Sequence, residues 1–163
     1  MKKTALILFA VTLLLSAAAA ATDPFTGKWI LNVGKSKYPP NTCPKKMVIE
    51  MEPTEKGIRY RSDTTYANGN STYSQYTADY NGKQVIVMGS RGMMYPVFLK
   101  RIDARTVVAS YTKGLQVVAT SRRVVSKNGR VMTVTTTSKG DDGKSVTNVG
   151  VYEKVSSTAS SGR

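Results

Sequence analysis

The side chains in this sequence that could do chemistry are its arginines and tyrosines. The chain has 163 residues, no histidine and a single cysteine, Cys43. Without an imidazole there is no histidine base and no Cys–His nucleophilic pair, and one cysteine cannot assemble a zinc site. Cys43 lies in the turn-rich stretch Pro39-Pro40-Asn41-Thr42-Cys43-Pro44, where it reads as a free thiol, with pairing between two chains as the alternative. Acidic residues are few and fall mainly in turns or on outward strand positions. Asp141-Asp142-Gly143 offers two carboxylates beside a glycine, short of the oxygen cage that calcium requires, and a β-turn accounts for it. No glycine-rich phosphate loop leads into a helix. These readings argue against an enzyme, a metal centre and a bound cofactor. They leave Arg123 and the tyrosines Tyr60, Tyr76 and Tyr111, which could line a cavity with polar tips or occupy ordinary half-buried strand positions.

Strands must position those groups. Met47, Ile49 and Met51 alternate with Glu50 and Glu52; after a turn over residues 53–57, Ile58 and Tyr60 point in while Arg59 and Arg61 point out. Residues 72–80 place Thr72, Ser74, Tyr76, Ala78 and Tyr80 on one face. Neither face of that segment is simply apolar, which suits a strand bordering a cavity or a partly wet surface. Further strands are expected over 83–88, 97–103, 106–112, 115–126, 131–138 and 146–155. In the longest, Leu115, Val117, Ala119, Ser121, Arg123 and Val125 share a face, so parity turns Arg123 inward. Residues 32–46 read as a loop of about 15 residues, long enough to be mobile or functional. No segment of this part of the chain carries a helical stripe. About ten short strands joined by Asn-Gly and other glycine turns predict one all-β domain, an up-and-down antiparallel meander closed as a barrel, with an open sandwich as the alternative. Closure also removes the sheet edges.

Composition sets the surroundings. Lys2 and Lys3, the apolar run from Ala5 to Leu15 and the alanines ending at Ala21 read as a cleaved signal peptide over residues 1–21; a retained N-terminal anchor is the alternative. The barrel domain is then expected over 22–155 and a disordered polar tail over 156–163, with the product secreted or periplasmic, monomeric and without a transmembrane span. The formal charge is +14, and removing Lys2 and Lys3 lowers it to +12. That excess suits an anionic partner, yet the basic residues are scattered rather than gathered in one run, and no specific nucleic-acid site is expected.

The opening strand, Phe25-Thr26-Gly27-Lys28-Trp29-Ile30-Leu31, holds the only tryptophan. Its alternation puts Phe25, Gly27, Trp29 and Leu31 on one face, with the glycine leaving room for a close neighbour. Gly27-Lys28-Trp29 resembles the Gly-x-Trp signature on the first strand of calycin barrels, the superfamily of lipocalins and fatty-acid-binding proteins. Val149-Gly150-Val151-Tyr152-Glu153-Lys154 resembles the closing strand of fatty-acid-binding proteins, which reads Arg-x-Tyr-Glu-Lys. Over about residues 25 to 155 the chain is similar to small secreted bacterial lipocalin-like proteins of unknown function.

The resemblance implies that Tyr152 reaches into the barrel to hold a ligand carboxylate, and that Arg123 stands near a second interior arginine of the family. It departs at Gly150, which takes the place of the closing-strand arginine, and in lacking the two-helix lid. Two roles for Arg123 follow: it meets a ligand anion with Tyr152 beside it, or it covers the Trp29 indole as lipocalin arginines do. The expected function is an exported barrel binding a small apolar or amphipathic molecule through Arg123, Tyr152, Tyr60, Tyr76 and Tyr111, with Gly27 and Trp29 as structural signature. The alternative is a basic protein that contacts anionic lipid, polysaccharide or an acidic partner at the envelope through Lys28, Arg59 and Arg61.

Overall fold

Alternating apolar and polar residues become ten strands in the computed structural model, which describes residues 23–140 and 142–156. The expected signal peptide over 1–21 lies outside the described residues, as do Asp141 and nearly all of the expected tail. The strands are β1 Gly27–Leu31, β2 Lys46–Thr54, β3 Gly57–Thr65, β4 Ser71–Ala78, β5 Asn81–Gly89, β6 Met94–Asp103, β7 Thr106–Lys113, β8 Gln116–Val125, β9 Val131–Lys139 and β10 Ser145–Lys154. Each pairs antiparallel with its neighbours in sequence, and β1 also pairs with β10, with Trp29 opposite Lys154 and Leu31 opposite Tyr152. The sheet is thus an up-and-down barrel, and the open sandwich is ruled out.

One end of the barrel is a floor. Trp29 is fully buried and its indole N–H donates to the Phe25 carbonyl at 2.8 Å. The cation over the indole is Lys154, with its Nζ 4.9 Å from the ring and donating to the Pro24 carbonyl at 3.3 Å. Its partner across the floor is Arg101, which lies over the rings of Phe25 and Tyr80 at 5.4 and 5.3 Å and pairs with Asp23. The expectation that Arg123 covers Trp29 is therefore corrected. Arg123 sits opposite Val134 of β9, which in turn faces Gly150 of β10. That is four residues along β10 from Lys154, about 13 Å of strand.

Gly27 owes its place in the signature to its backbone: its φ is +119°, a conformation that other residues rarely adopt, and the stem of Lys154 packs close beside it, with Cε 2.7 Å from where a Cβ would lie.

Two other expectations change. Leu115 and Val117 do not share the inner face with Arg123: Leu115 belongs to the turn before β8, and a register shift between Tyr111 and Thr112 opposite β8 leaves Val117 exposed. A bulge of this kind reverses side-chain parity beyond it. β6 begins at Met94 rather than Val97, because Pro96 precedes the first pairing with β7 and so has a ladder on one side only. The loop over 32–46 contains a short 3-10 turn, Val33–Lys35, and is tied to β10 through reciprocal Lys37–Val149 backbone bonds of 2.8 and 2.7 Å. Lys28, Arg59 and Arg61 point outward as expected, but each is paired, with Glu50, Glu52 and Asp63.

Candidate functional site

Above the floor the barrel holds a cavity of about 670 Å³. Its deepest charged group is Arg123, 3% exposed. Cross-strand pairing sets Tyr60 directly opposite Tyr76, and their rings stack at 4.7 Å with planes 9° apart. The Arg123 guanidinium lies 4.7 Å from the Tyr60 ring centre and 5.7 Å from that of Tyr76, and donates from Nη1 to the Tyr76 hydroxyl. No carboxylate pairs with it among the described residues. A guanidinium has five N–H donors, and one protein hydrogen bond leaves most of them unused in a desolvated place. Beside this group the buried Tyr80 hydroxyl has no hydrogen-bond partner among the described residues.

One step towards the mouth, the same strands supply hydroxyls. Ser62 and Ser74 face each other across β3 and β4 and bond at 2.8 Å, while Thr136 donates to Ser121 across β9 and β8 at 3.2 Å. All four line the cavity. Each is two residues from Tyr60, Tyr76, Val134 or Arg123 on its own strand, so strand periodicity alone stacks this hydroxyl girdle on the arginine layer.

The β10 wall shows what replaces the expected second arginine. A Cβ on Gly150 would lie 2.9 Å from the Tyr38 hydroxyl and 2.8 Å from Tyr152 Cε2. Tyr38, carried by the long loop after β1, therefore occupies the space above Gly150, and Tyr152 donates to Met47 Sδ at 3.1 Å. The mouth lies between that loop, the β3–β4 turn with Tyr66, Asn68 and Asn70, and the β5–β6 turn with Ser90 and Arg91.

Burial raises the phenol pKa values of Tyr60, Tyr76, Tyr80 and Tyr152, against a smaller downward pull from Arg123 in each. These tyrosines are therefore neutral hydrogen-bonding groups, and Arg123 is left as a positive charge facing an uncharged wall. That arrangement can hold an anion. It supplies no nucleophile activated by a base, and no three Cys, Asp or Glu side chains gather as metal ligands among the described residues.

Of the residues singled out by sequence, Arg123, Tyr60, Tyr111 and Tyr152 come together on the cavity wall. Tyr76 stands behind them as the acceptor for Arg123, and Gly27 and Trp29 belong to the floor. Sequence reasoning missed Tyr38, Ser62, Ser121 and Thr136. The three hydroxyl residues follow from parity once the inward face of each strand is known; Tyr38 comes from a loop whose path no periodicity encodes.

No protein-family model and no curated protein matches the sequence. Solved structures share the fold, two of them as follows. The zebrafish ileal bile acid-binding protein, in complex with cholic acid, is 17% identical with a TM-score of 0.54, covering 81% of this chain and 99% of its own. A Schistosoma mansoni fatty acid binding protein, in complex with arachidonic acid, is 16% identical with a TM-score of 0.55, covering 84% and 100%. The ten-strand antiparallel barrel described above is thus a fold shared with these two binding proteins.

Proposed function

We propose that this chain is an exported carrier that encloses one small amphipathic molecule, with the acidic group of that molecule on Arg123 and its apolar body along the barrel wall. The observation that carries this reading is Arg123 itself, a buried cation on the cavity with one protein hydrogen bond and no anionic partner among the described residues. An isolated interior charge is costly, and a bound carboxylate would remove that cost. A volume of about 670 Å³ falls in the range of small-molecule sites. Both similar structures hold a carboxylic acid, cholic or arachidonic, in a barrel of the same fold. Tyr152, Tyr60 and Tyr111 would shape the wall around the ligand, and the reading is one of binding, not catalysis. Export to the periplasm or beyond belongs to the same proposal and rests on residues 1–21.

The test is calorimetric titration of the delipidated protein with a long-chain unsaturated fatty acid and, separately, with its methyl ester. The acid is expected to bind at least about tenfold more tightly than the ester, and Arg123→Met to abolish that difference. Because Met removes a desolvated charge, the ligand-free variant should lose no more than about 1 kcal/mol of stability. Equal affinity for acid and ester in the wild type, or a cavity that takes neither, overturns the reading.

A further inference from the structure

The charge of this protein is unevenly spread around its barrel. From Asn81 to Lys139, which is β5 through β9, the chain has eleven Lys and Arg and one acidic residue, Asp103; nine of these cations remain once Arg123, buried in the cavity, and Arg101, paired with Asp23, are set aside. Asp103 ends β6 on the floor side. The acids of the opposite wall, Glu50, Glu52 and Asp63, are already engaged by Lys28, Arg59 and Arg61.

At its mouth end the cationic half carries two hairpin tips. They stand side by side because β6 and β7 pair there, with Val97 opposite Tyr111. The β5–β6 tip exposes Met88 and Met94, the latter 65% exposed, beside Arg91. The β7–β8 tip exposes Val117 and the whole of Leu115, at 104%, beside Lys113. Ile86 and Phe98 continue the apolar surface down the outer wall of the β5–β6 hairpin.

An apolar side chain held bare at a strand end gains nothing from water, and contiguous exposed apolar surface of this kind marks a contact site. The cations decide which. Apolar tips flanked by Arg91 and Lys113 fit the boundary of an anionic bilayer, where the tips enter the acyl region and the two cations meet lipid phosphates. A second copy of this chain would bring like charge against like charge. An acidic polysaccharide would use Arg91 and Lys113 but leave Met94 and Leu115 in water.

We infer that these two tips dock the barrel on an anionic lipid bilayer, with the cavity mouth facing the lipid. The docking is independent of whether the cavity carries a ligand.

Co-sedimentation of the full chain with vesicles of phosphatidylcholine mixed with phosphatidylglycerol, and with phosphatidylcholine alone, tests it. Binding is expected to the mixed vesicles only, weakening as salt rises. The pair Met94→Ser and Leu115→Ser should weaken it about tenfold, since both remove apolar area that lipid would bury. Arg59→Gln, on the paired wall, should change it by less than about twofold. In the wild type, hydrogen exchange at residues 88–95 and 113–117 should slow on the mixed vesicles, a readout that needs no variant. The serine pair should bind a fatty acid in vesicle-free buffer as the wild type does, which separates failure of the docking from failure of the carrier reading. Absence of binding to the mixed vesicles overturns the inference, as does full affinity in the serine pair. So does binding to heparin without binding to vesicles, or a solution dimer that the serine pair dissolves.

Discussion

Gly150, the position at which the resemblance to fatty-acid-binding proteins implies an arginine, lies in this barrel on the same row as Arg123, through Val134. An arginine there would set two like charges on one cavity wall. Instead the Tyr38 hydroxyl fills the space above a residue without a side chain, 2.9 Å from where a Cβ would lie. The wall therefore carries a neutral polar group at this point, and in the proposed complex the anion would meet Arg123. Gly150→Arg should destabilise the protein by about 1–3 kcal/mol through overpacking against Tyr38 and Tyr152. Adding Tyr38→Ala should recover about half of that loss, read as coupling in a double-mutant cycle by denaturant unfolding. Additive effects would show that Tyr38 does not occupy the space.

At the scale of elements, the floor is built by the short segment before β1 together with the ends of β6 and β10. Trp29 and Phe25 supply the apolar body, while Lys154 and Arg101 lie over the aromatic rings with their charges directed to the Pro24 carbonyl and Asp23. Long cationic side chains can cover apolar rings in this way because their stems pack while their heads remain hydrogen-bonded. Trp29→Ala should cost about 3–5 kcal/mol by chemical denaturation, as expected for a large buried ring whose cavity cannot collapse. Lys154→Ala should cost much less, about 0.5–2 kcal/mol. Equal losses would make the lysine, not the ring, the centre of the floor. The seam between β4 and β5 is the short one, with Ser74–Gly89 and Gln75–Met88 as its register pairs, so the barrel is closed there near the mouth by few bonds.

For the molecule as a whole, pH acts through its phenols. Burial raises the pKa of Tyr38, Tyr60, Tyr76, Tyr80 and Tyr152, five of the nine tyrosines. In the unfolded chain a tyrosine ionises near pH 10. A raised value in the folded state means that unfolding releases protons, so the stability these groups contribute is fully present below about pH 10 and is lost as pH rises beyond it. Asp103 and Glu153 act in the other direction. The Arg105 backbone N–H holds the Asp103 carboxyl low and a Lys35 hydrogen bond does the same for Glu153, and their contribution is lost as pH falls through the carboxylate range. Both carboxylates are exposed, so the alkaline limb should be the steep one. The melting temperature should change little between about pH 5 and 9 and fall above about pH 10, with tyrosinate absorbance rising in the same cooperative step. Ionisation of those five tyrosines with the barrel still folded would contradict this.

Alternation of period two was enough to turn Tyr60, Tyr76 and Arg123 inward, to count the strands and to place Trp29 in the core. Each of those facts is local, set by which side of a strand a residue occupies and by which turn follows it. Gly27-Lys28-Trp29 and Tyr152-Glu153-Lys154 likewise marked the two ends of the meander. Only the tertiary structure decided which inward residues meet across the barrel. Register and shear put Lys154, not Arg123, over Trp29, and brought Tyr38 from a loop onto Gly150. A single bulge between β7 and β8 turned Val117 outward, and the turn between them left Leu115 bare at the mouth rim. Pairing across strands also absorbed Lys28, Arg59 and Arg61 into ion pairs and left the excess charge on the other half. The sequence thus carries the barrel, while the fit of its strands to one another determines where its charges and its cavity lie.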